Sequence, residues 1–156
     1  DNRPGYQNLE MGATLIYSGN HYARQMAEDM GLTKRVVKSE WFAFWDGRSF
    51  VWESLPSKLL TSLSLFVRYN FSLMRLTRLI NRIVNAFLDI YAIQAKGEMF
   101  ESPKELLEAV GLYELTQENI TSFLGKHGVK GKVVSELVAG VNANNYNQGN
   151  GMNALA

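Results

Sequence analysis

The sequence predicts a mostly helical α+β fold, with short strands forming a hairpin and four to six helices. Apolar residues recur every three or four positions over 56–141, which is the period of an amphipathic helix. An aromatic segment at 41–53 is instead interrupted by Asp46-Gly47, a dipeptide typical of tight hairpin turns. The length of 156 residues is that of one ordinary domain or of part of a larger one.

The composition excludes several kinds of site. The chain has no cysteine, which rules out disulfides, thiolate zinc sites and cysteine nucleophiles. Its two histidines, His21 and His127, are far apart in the sequence, so no metal site is predicted. The formal net charge of +1 does not indicate a nucleic-acid-binding protein. No apolar run approaches the ~20 residues of a membrane-spanning helix.

The pattern divides the chain into four segments. They are a strand with a helix, a small hairpin or sheet, a helical segment and an Asn-rich loop, at 1–33, 34–55, 56–141 and 142–156. In the first, residues 7–16 are predicted to be extended. A helix is expected over 20–30, ending at Gly31, which suits a left-handed C-cap.

The hairpin and the helices have recognisable boundary signals. Asp46-Gly47 predicts a type I′ turn, and Val36-Val37 is a candidate third strand. Pro56 suits a helix start. Further helices are predicted over 71–95, from the Ser102-Pro103-Lys104-Glu105 capping box to about Gly111, from a Thr116 cap to about Gly125, and from Lys132 to Val141.

The predicted 71–95 helix carries two stripes. One is apolar, and the other places Arg75, Arg78 and Arg82 on one face. Charge is uneven around it, with net +6 over 34–82 and net −5 over 83–125. For the charge pattern, either oppositely charged elements pack side by side or a basic groove binds an anionic ligand. For the arginines, the stripe is either solvated helix surface or a site for an anion such as a carboxylate, which matches the guanidinium fork.

Other motifs give weaker indications of function. Residues 149–154 match the letters of a dinucleotide-binding fingerprint, but no strand precedes them and no helix follows, so we interpret the match as chance. Asn70 and Asn119 begin N-glycosylation acceptor patterns close to predicted helix starts. Spacing alone yields no nucleophile–base pair, and the catalytic residues are not identified.

One segment resembles a recurring part of FAD-dependent amine-oxidase-type proteins. It is Leu9-Glu10-Met11-Gly12-Ala13-Thr14-Leu15-Ile16, followed by a helix that ends at Met30-Gly31-Leu32. The order of the later motifs resembles the prenylcysteine oxidase (prenylcysteine lyase) family. Those motifs are Trp41 to Gly47, the Arg-rich helix with Phe87 to Tyr91, Phe100 to Leu107, Asn145 to Gln148, and Met152 to Ala154.

The resemblance implies the substrate-side part of a two-domain FAD oxidoreductase. Glu10, Gly12 and Ala13 would lie on the strand beside the flavin. Gly12 and Ala13, which lack bulk, would let the backbone approach the ring, and Glu10 would orient the strand. The substrate would be farnesyl- or geranylgeranyl-cysteine, cleaved to a prenyl aldehyde, cysteine and hydrogen peroxide. The helices would wall an apolar pocket for the prenyl chain, and Arg75, Arg78 or Arg82 would bind the carboxylate.

The resemblance also implies a longer parent. The segment that holds the ADP half of FAD is absent from this sequence, so we expect the chain alone to be inactive. The alternatives are a related FAD amine oxidase or isoprenoid desaturase, and a non-catalytic helical binding module. Family analogy indicates the lysosome or secretory pathway, and association with a membrane surface is a further expectation if the 71–95 stripe faces lipid.

Overall fold

The computed structural model describes residues 16–33 and 41–155, and the chain divides into two compact units, 1–38 and 39–156. The described part of the first unit contains helix α1, His21–Asp29. Asn20 caps it by accepting a hydrogen bond from the Ala23 N–H at 3.3 Å, and Gly31 follows with φ +67°. This helix and its left-handed end are as predicted. The segment predicted to be extended, 7–16, lies outside the described residues except for its last position, and the predicted Val36-Val37 strand lies wholly outside them.

The second unit opens with an antiparallel hairpin of β1, Ala43–Trp45, and β2, Phe50–Glu53. The hairpin is confirmed, but the type I′ turn is wrong. Gly47 has φ +98°, whereas Asp46 does not have the positive φ that a type I′ turn would require. Four residues form the loop instead, because the Asp46 carboxylate accepts the N–H groups of Arg48 and Ser49, at 2.7 and 2.8 Å. These two bonds also lower the pKa of Asp46.

Helix α2, Lys58–Ala95, is the longest element of the described chain. It begins two residues after Pro56, with Ser57 at the N-cap. Asn70 interrupts it with φ 54° and ψ −152°, a conformation that is rare for any residue other than glycine. The predicted 71–95 helix is therefore the second half of α2, and Asn70 separates it from a first half over 58–69.

Two short helices follow. Helix α3, Pro103–Ala109, begins at the predicted capping box, where Ser102 Oγ accepts the Glu105 N–H at 3.3 Å. Helix α4, Ile120–Lys126, is capped by Asn119, whose Oδ1 accepts the Ser122 N–H at 2.8 Å. The predicted Thr116 cap is wrong because residues 113–116 form a separate 3₁₀ turn before this helix.

The C-terminal region is more helical than predicted. A π-helical turn, Val133–Val138, continues directly into α5, Ala139–Tyr146, so the expectation of a loop from residue 142 is wrong. The helix ends at Asn147, which has φ 52°. The tail then packs beside the start of α4, where Ile120 N–H donates to the Met152 carbonyl at 3.0 Å. No helix follows the glycines at 149 and 151 in the described chain, consistent with a chance fingerprint match.

The core of the second unit forms where the second half of α2 meets α4, the π-helical turn and the loops between them. Its most deeply buried side chains, at 2% exposure or less, are Leu112, Val129 and Val133. Phe44 joins the hairpin to this body, since its ring lies in van der Waals range of the Cβ position of Gly140. The fold is thus a mostly helical α+β fold, as predicted.

Candidate functional site

An apolar cavity of about 270 Å³ lies between α2, α4, α5 and the C-terminal tail. Its lining consists of aliphatic side chains with one phenylalanine and one asparagine. The lining residues are Leu76, Leu79, Ile80, Ile83, Val84, Ile120, Phe123, Leu124, Leu137, Val138, Val141, Asn142, Ala154 and Leu155. Such a surface suits a hydrocarbon group, because it offers van der Waals contact and very few hydrogen-bonding partners.

The sequence builds this cavity from helical periodicity. The apolar stripe of the 71–95 helix supplies Leu76, Ile80 and Ile83, which lie on one face at three- and four-residue spacing. Leu76 is 4% exposed and Ile80 is 47% exposed, so the stripe is buried at Leu76 and open at Ile80. The tail supplies the opposite rim, where Ala154 N–H donates to the carbonyls of Leu115 and Glu118 at 3.0 and 2.9 Å.

One polar side chain interrupts the cavity lining. Asn142 on α5 is 5% exposed, and its Nδ2 donates to Oδ1 of Asn150 at 2.9 Å. Asn150 Nδ2 in turn donates to the Val134 carbonyl at 2.9 Å. These bonds hold the two amides in a relay that starts at the main chain of the π-helical turn.

A basic groove of about 310 Å³ adjoins the cavity. It is lined by Arg75, Arg78, Arg82, His127 and Leu79, and Leu79 also lines the apolar cavity. The structure therefore brings the three predicted arginines together at one surface. Their stripe lies to one side of Leu79 on α2, and the cavity stripe lies to the other.

The three arginines of the groove differ in their contacts. The Arg75 guanidinium donates to the Gly128 carbonyl at 3.0 Å, which satisfies an acceptor just past the end of α4. Within the described chain, Arg78 and Arg82 make no hydrogen bond or ion pair. Two guanidinium groups in the groove thus remain available for an anion.

A third polar cluster joins the first half of α2 to the π-helical turn. Arg68 Nε and one of its terminal nitrogens donate to the two carboxylate oxygens of Glu136, at 2.7 and 2.8 Å. Tyr69 O–H donates to the same carboxylate at 3.1 Å. The hydrogen bonds from Arg68 lower the pKa of Glu136 and raise that of Arg68, while burial raises the pKa of Tyr69. A bidentate pair held this way fixes one element against another.

The described residues offer no flavin or metal site. Glu10, Gly12 and Ala13, predicted to lie beside the flavin, are outside the described residues. No group of three acidic or histidine side chains in the described ranges could hold a metal ion. A phosphate-binding turn between a strand and a helix is likewise absent from 16–33 and 41–155, so these residues do not fit the ADP half of FAD. No helix in those ranges is long and apolar enough to cross a membrane.

Sequence reasoning missed several residues of this region. Asn142 and Asn150 belong to an Asn-rich segment that the sequence predicts as loop. The sequence indicates an ordinary surface or cap histidine at His127, and the structure agrees, since His127 is the C-cap of α4; only its place in the groove was missed. The Arg68–Glu136 pair spans 68 positions. No local pattern reports a contact across such a separation, although the opposite charges of the two residues are compatible with it.

Comparison with known proteins identifies the class. The family model described as prenylcysteine lyase matches residues 53–156, about two thirds of the chain and all of the cavity and groove. The chain therefore belongs to the prenylcysteine lyase family.

Individual relatives agree with this assignment. A farnesylcysteine lyase of Arabidopsis thaliana is 27% identical over 155 residues, covering 90% of this chain and 31% of the relative. Prenylcysteine oxidase 1-like of Bos taurus is 28% identical, covering 96% and 31%. Prenylcysteine oxidase 1 of Homo sapiens is 25% identical, covering 96% and 30%. The chain spans roughly a third of the length of these relatives. No solved structure matches the chain.

Proposed function

We propose that this chain is the substrate-side segment of a flavin-dependent thioether oxidase acting on farnesyl- or geranylgeranyl-cysteine. The observation that carries the proposal is the apolar cavity of about 270 Å³, which lies entirely within the residues matched by the family model. Small-ligand pockets usually have volumes of ~300–1,000 Å³, so this one lies just below the usual range. A prenyl chain presents only hydrocarbon, and an aliphatic lining favours it by excluding water.

In the proposed reaction, prenylcysteine, oxygen and water give a prenyl aldehyde, cysteine and hydrogen peroxide. The carbon bonded to sulfur loses two electrons and oxygen gains two. FAD would be the electron acceptor in the parent protein, with Glu10, Gly12 and Ala13 beside it. The described residues would bind the ligand and keep its reacting end away from bulk water.

The basic groove offers a binding site for the cysteine end of the substrate. Leu79 borders both the cavity and the groove, so a ligand with its chain in the cavity meets cations as it leaves. Arg78 and Arg82 would bind the carboxylate of the cysteine moiety. Arg75 would add charge to the groove while its guanidinium stays bonded to the Gly128 carbonyl.

Blocking the cavity in the full-length parent tests the proposal. Val141 lines the cavity but is 44% exposed, so Val141→Trp should fill it without dismantling the core. We expect the KM for farnesylcysteine, measured by peroxide release, to rise about tenfold or more. Val67→Trp is the matched control, because Val67 is 70% exposed and does not line the cavity. Equal effects of the two substitutions would contradict a prenyl chain in this cavity.

Substrate comparison separates the proposal from its alternatives. A prenylcysteine oxidase releases peroxide with farnesylcysteine and not with simple amines, whereas an amine oxidase shows the reverse. An isoprenoid desaturase oxidises a free isoprenoid chain, and a non-catalytic module purifies without flavin absorbance. Peroxide from amines alone, or a colourless parent, would overturn the assignment.

The cellular setting is part of the same proposal. On the family resemblance, we place the parent in the lysosome or the secretory pathway, where a contact with membrane surfaces would bring it to prenylated substrates. A shift in mobility after glycosidase treatment and pelleting with liposomes test the two statements separately. An unglycosylated cytosolic parent would contradict the first.

A further inference from the structure

Asn142 is an exception among the side chains that line the apolar cavity. It is 5% exposed, and its thirteen companions in the lining are hydrocarbon side chains. A hydrocarbon tail cannot form a hydrogen bond with an amide, and burying an amide without full hydrogen bonding costs free energy. Asn142 therefore places a hydrogen-bonding group in an otherwise apolar wall.

The hydrogen-bond relay fixes which atom of Asn142 remains available. The Val134 carbonyl can only accept, so the group that contacts it at 2.9 Å is Nδ2 of Asn150. Oδ1 of Asn150 consequently faces Asn142 and accepts from its Nδ2 at 2.9 Å. The remaining atom of the Asn142 amide is its Oδ1, which is an acceptor with two lone pairs.

This oxygen has no donor within the described chain. It is also not sealed, since it is not among the side-chain atoms of the described residues that lack both exposure and a hydrogen bond. A buried, oriented and reachable acceptor in an apolar wall favours a ligand that carries an N–H or O–H donor.

We propose that Oδ1 of Asn142 accepts a hydrogen bond from the α-ammonium group of the bound prenylcysteine. The inference rests on the proposed function, since it takes prenylcysteine as the ligand of the cavity. In this proposal the Asn142 oxygen binds the ammonium, and the guanidinium groups of Arg78 and Arg82 bind the carboxylate. Leu79 lines both the cavity of Asn142 and the groove of the arginines. Asn142 selects an amino acid over a free prenyl alcohol or acid.

Two ligands that differ only at the amino group test this in the full-length parent. Farnesylcysteine is compared with 3-(farnesylthio)propionic acid, which keeps the thioether and the carboxylate but lacks the ammonium group. We expect kcat/KM to favour farnesylcysteine by about tenfold or more, since hydrogen bonds to charged groups are among the stronger ones. In Asn142→Leu this preference should disappear, mostly through the KM for farnesylcysteine.

The control is Asn145→Leu, on the same helix, where the side chain is exposed and outside the cavity. It should retain the full preference. If the wild-type parent oxidises both compounds equally well, or if Asn142→Leu weakens both equally, the ammonium contact is wrong and Oδ1 binds water only. If Asn142→Leu does not fold, the comparison of the two compounds in the wild-type parent still tests the ammonium contact. If neither compound is oxidised at all, the proposed function itself fails.

Discussion

The two halves of α2 differ in the kind of side chain that they direct into the rest of their unit. In the first half, Thr61 and Ser64 turn inward to hydrogen-bond the backbone of Leu55 and the indole of Trp52, while Leu63 points outward and is 57% exposed. In the second half, Leu76 is buried and the arginines are exposed. Both halves have the same helical period, so the period alone does not say which face becomes the interior.

Asn70 stands at the change between the two halves. Its dihedral angles are not helical, so the helix is interrupted at this one residue. Because of the interruption, the two segments do not need to share one continuous inward face. Polar anchors, including the Arg68–Glu136 pair, hold the first half together with the buried ring of Tyr69, whereas the second half is held mainly by apolar burial. The difference shows that a helix can be fixed to its neighbours by either kind of contact.

The largest expected effect comes from truncating a leucine in each half. Leu76→Ala removes a buried side chain beside the cavity and should lower the free energy of unfolding by about 2–5 kcal/mol. Leu63→Ala should change it by less than about 0.5 kcal/mol, because its side chain is already exposed. Urea denaturation measures both. Similar losses would show that the first half also buries its apolar face.

A smaller effect is expected at the anchor of the first half. Glu136→Gln should cost about 1–3 kcal/mol, since it leaves Arg68 without its carboxylate partner. The pKa of Glu136 is lowered in the folded protein, so its contribution is complete above the ordinary Glu pKa of about 4.3 and is lost as the pH falls through the lowered value.

The stability curve of Glu136→Gln should therefore fall less steeply than the wild-type curve below about pH 4. Glu98→Gln is the control, because Glu98 is exposed, and it should leave the curve unchanged. Thermal unfolding across a pH series makes the comparison. If the stability of wild type and of Glu136→Gln fell equally steeply below about pH 4, the Arg68–Glu136 pair would not contribute as proposed.

The smallest effect concerns the junction itself. Asn70→Gly should stabilise the chain by about 1 kcal/mol, because glycine adopts φ 54° and ψ −152° without steric strain. The same change at Asn85, in the regular second half, should destabilise it by a few tenths of a kcal/mol. Opposite signs in one denaturation series confirm the local strain at residue 70. A loss of stability in both variants would refute it.

Much of the fold follows from local signals in the sequence. Ser102 with Glu105, and Asn20 with Gly31, marked helix boundaries correctly because caps act within a few residues. The helix starts at Asn119 and not at Thr116, and asparagine is the more strongly preferred N-cap residue of the two. The turn at Asp46 differed because its side chain, and not a paired positive φ, organises the loop.

The candidate site was less accessible to sequence reasoning. The stripe of Arg75, Arg78 and Arg82 was visible because it lies on one helix, and the structure places all three in one groove. Asn142 was not visible, because asparagines usually favour loops and its role depends on Asn150 and on the Val134 carbonyl. Such a relay is a property of tertiary structure.

The orientation of Asn142 depends on the number of residues in the π-helical turn, Val133–Val138. A π turn accommodates one residue more than an α-helical turn, and each added residue rotates the rest of the helix by about 100°. Glu136 within the turn meets Arg68, and Asn142 beyond it meets the cavity. The direction of the Asn142 side chain is thus set by the extra residue of the π-helical turn. Deleting one residue from this turn would rotate the acceptor oxygen away from the cavity, even though the residues that line the cavity were unchanged.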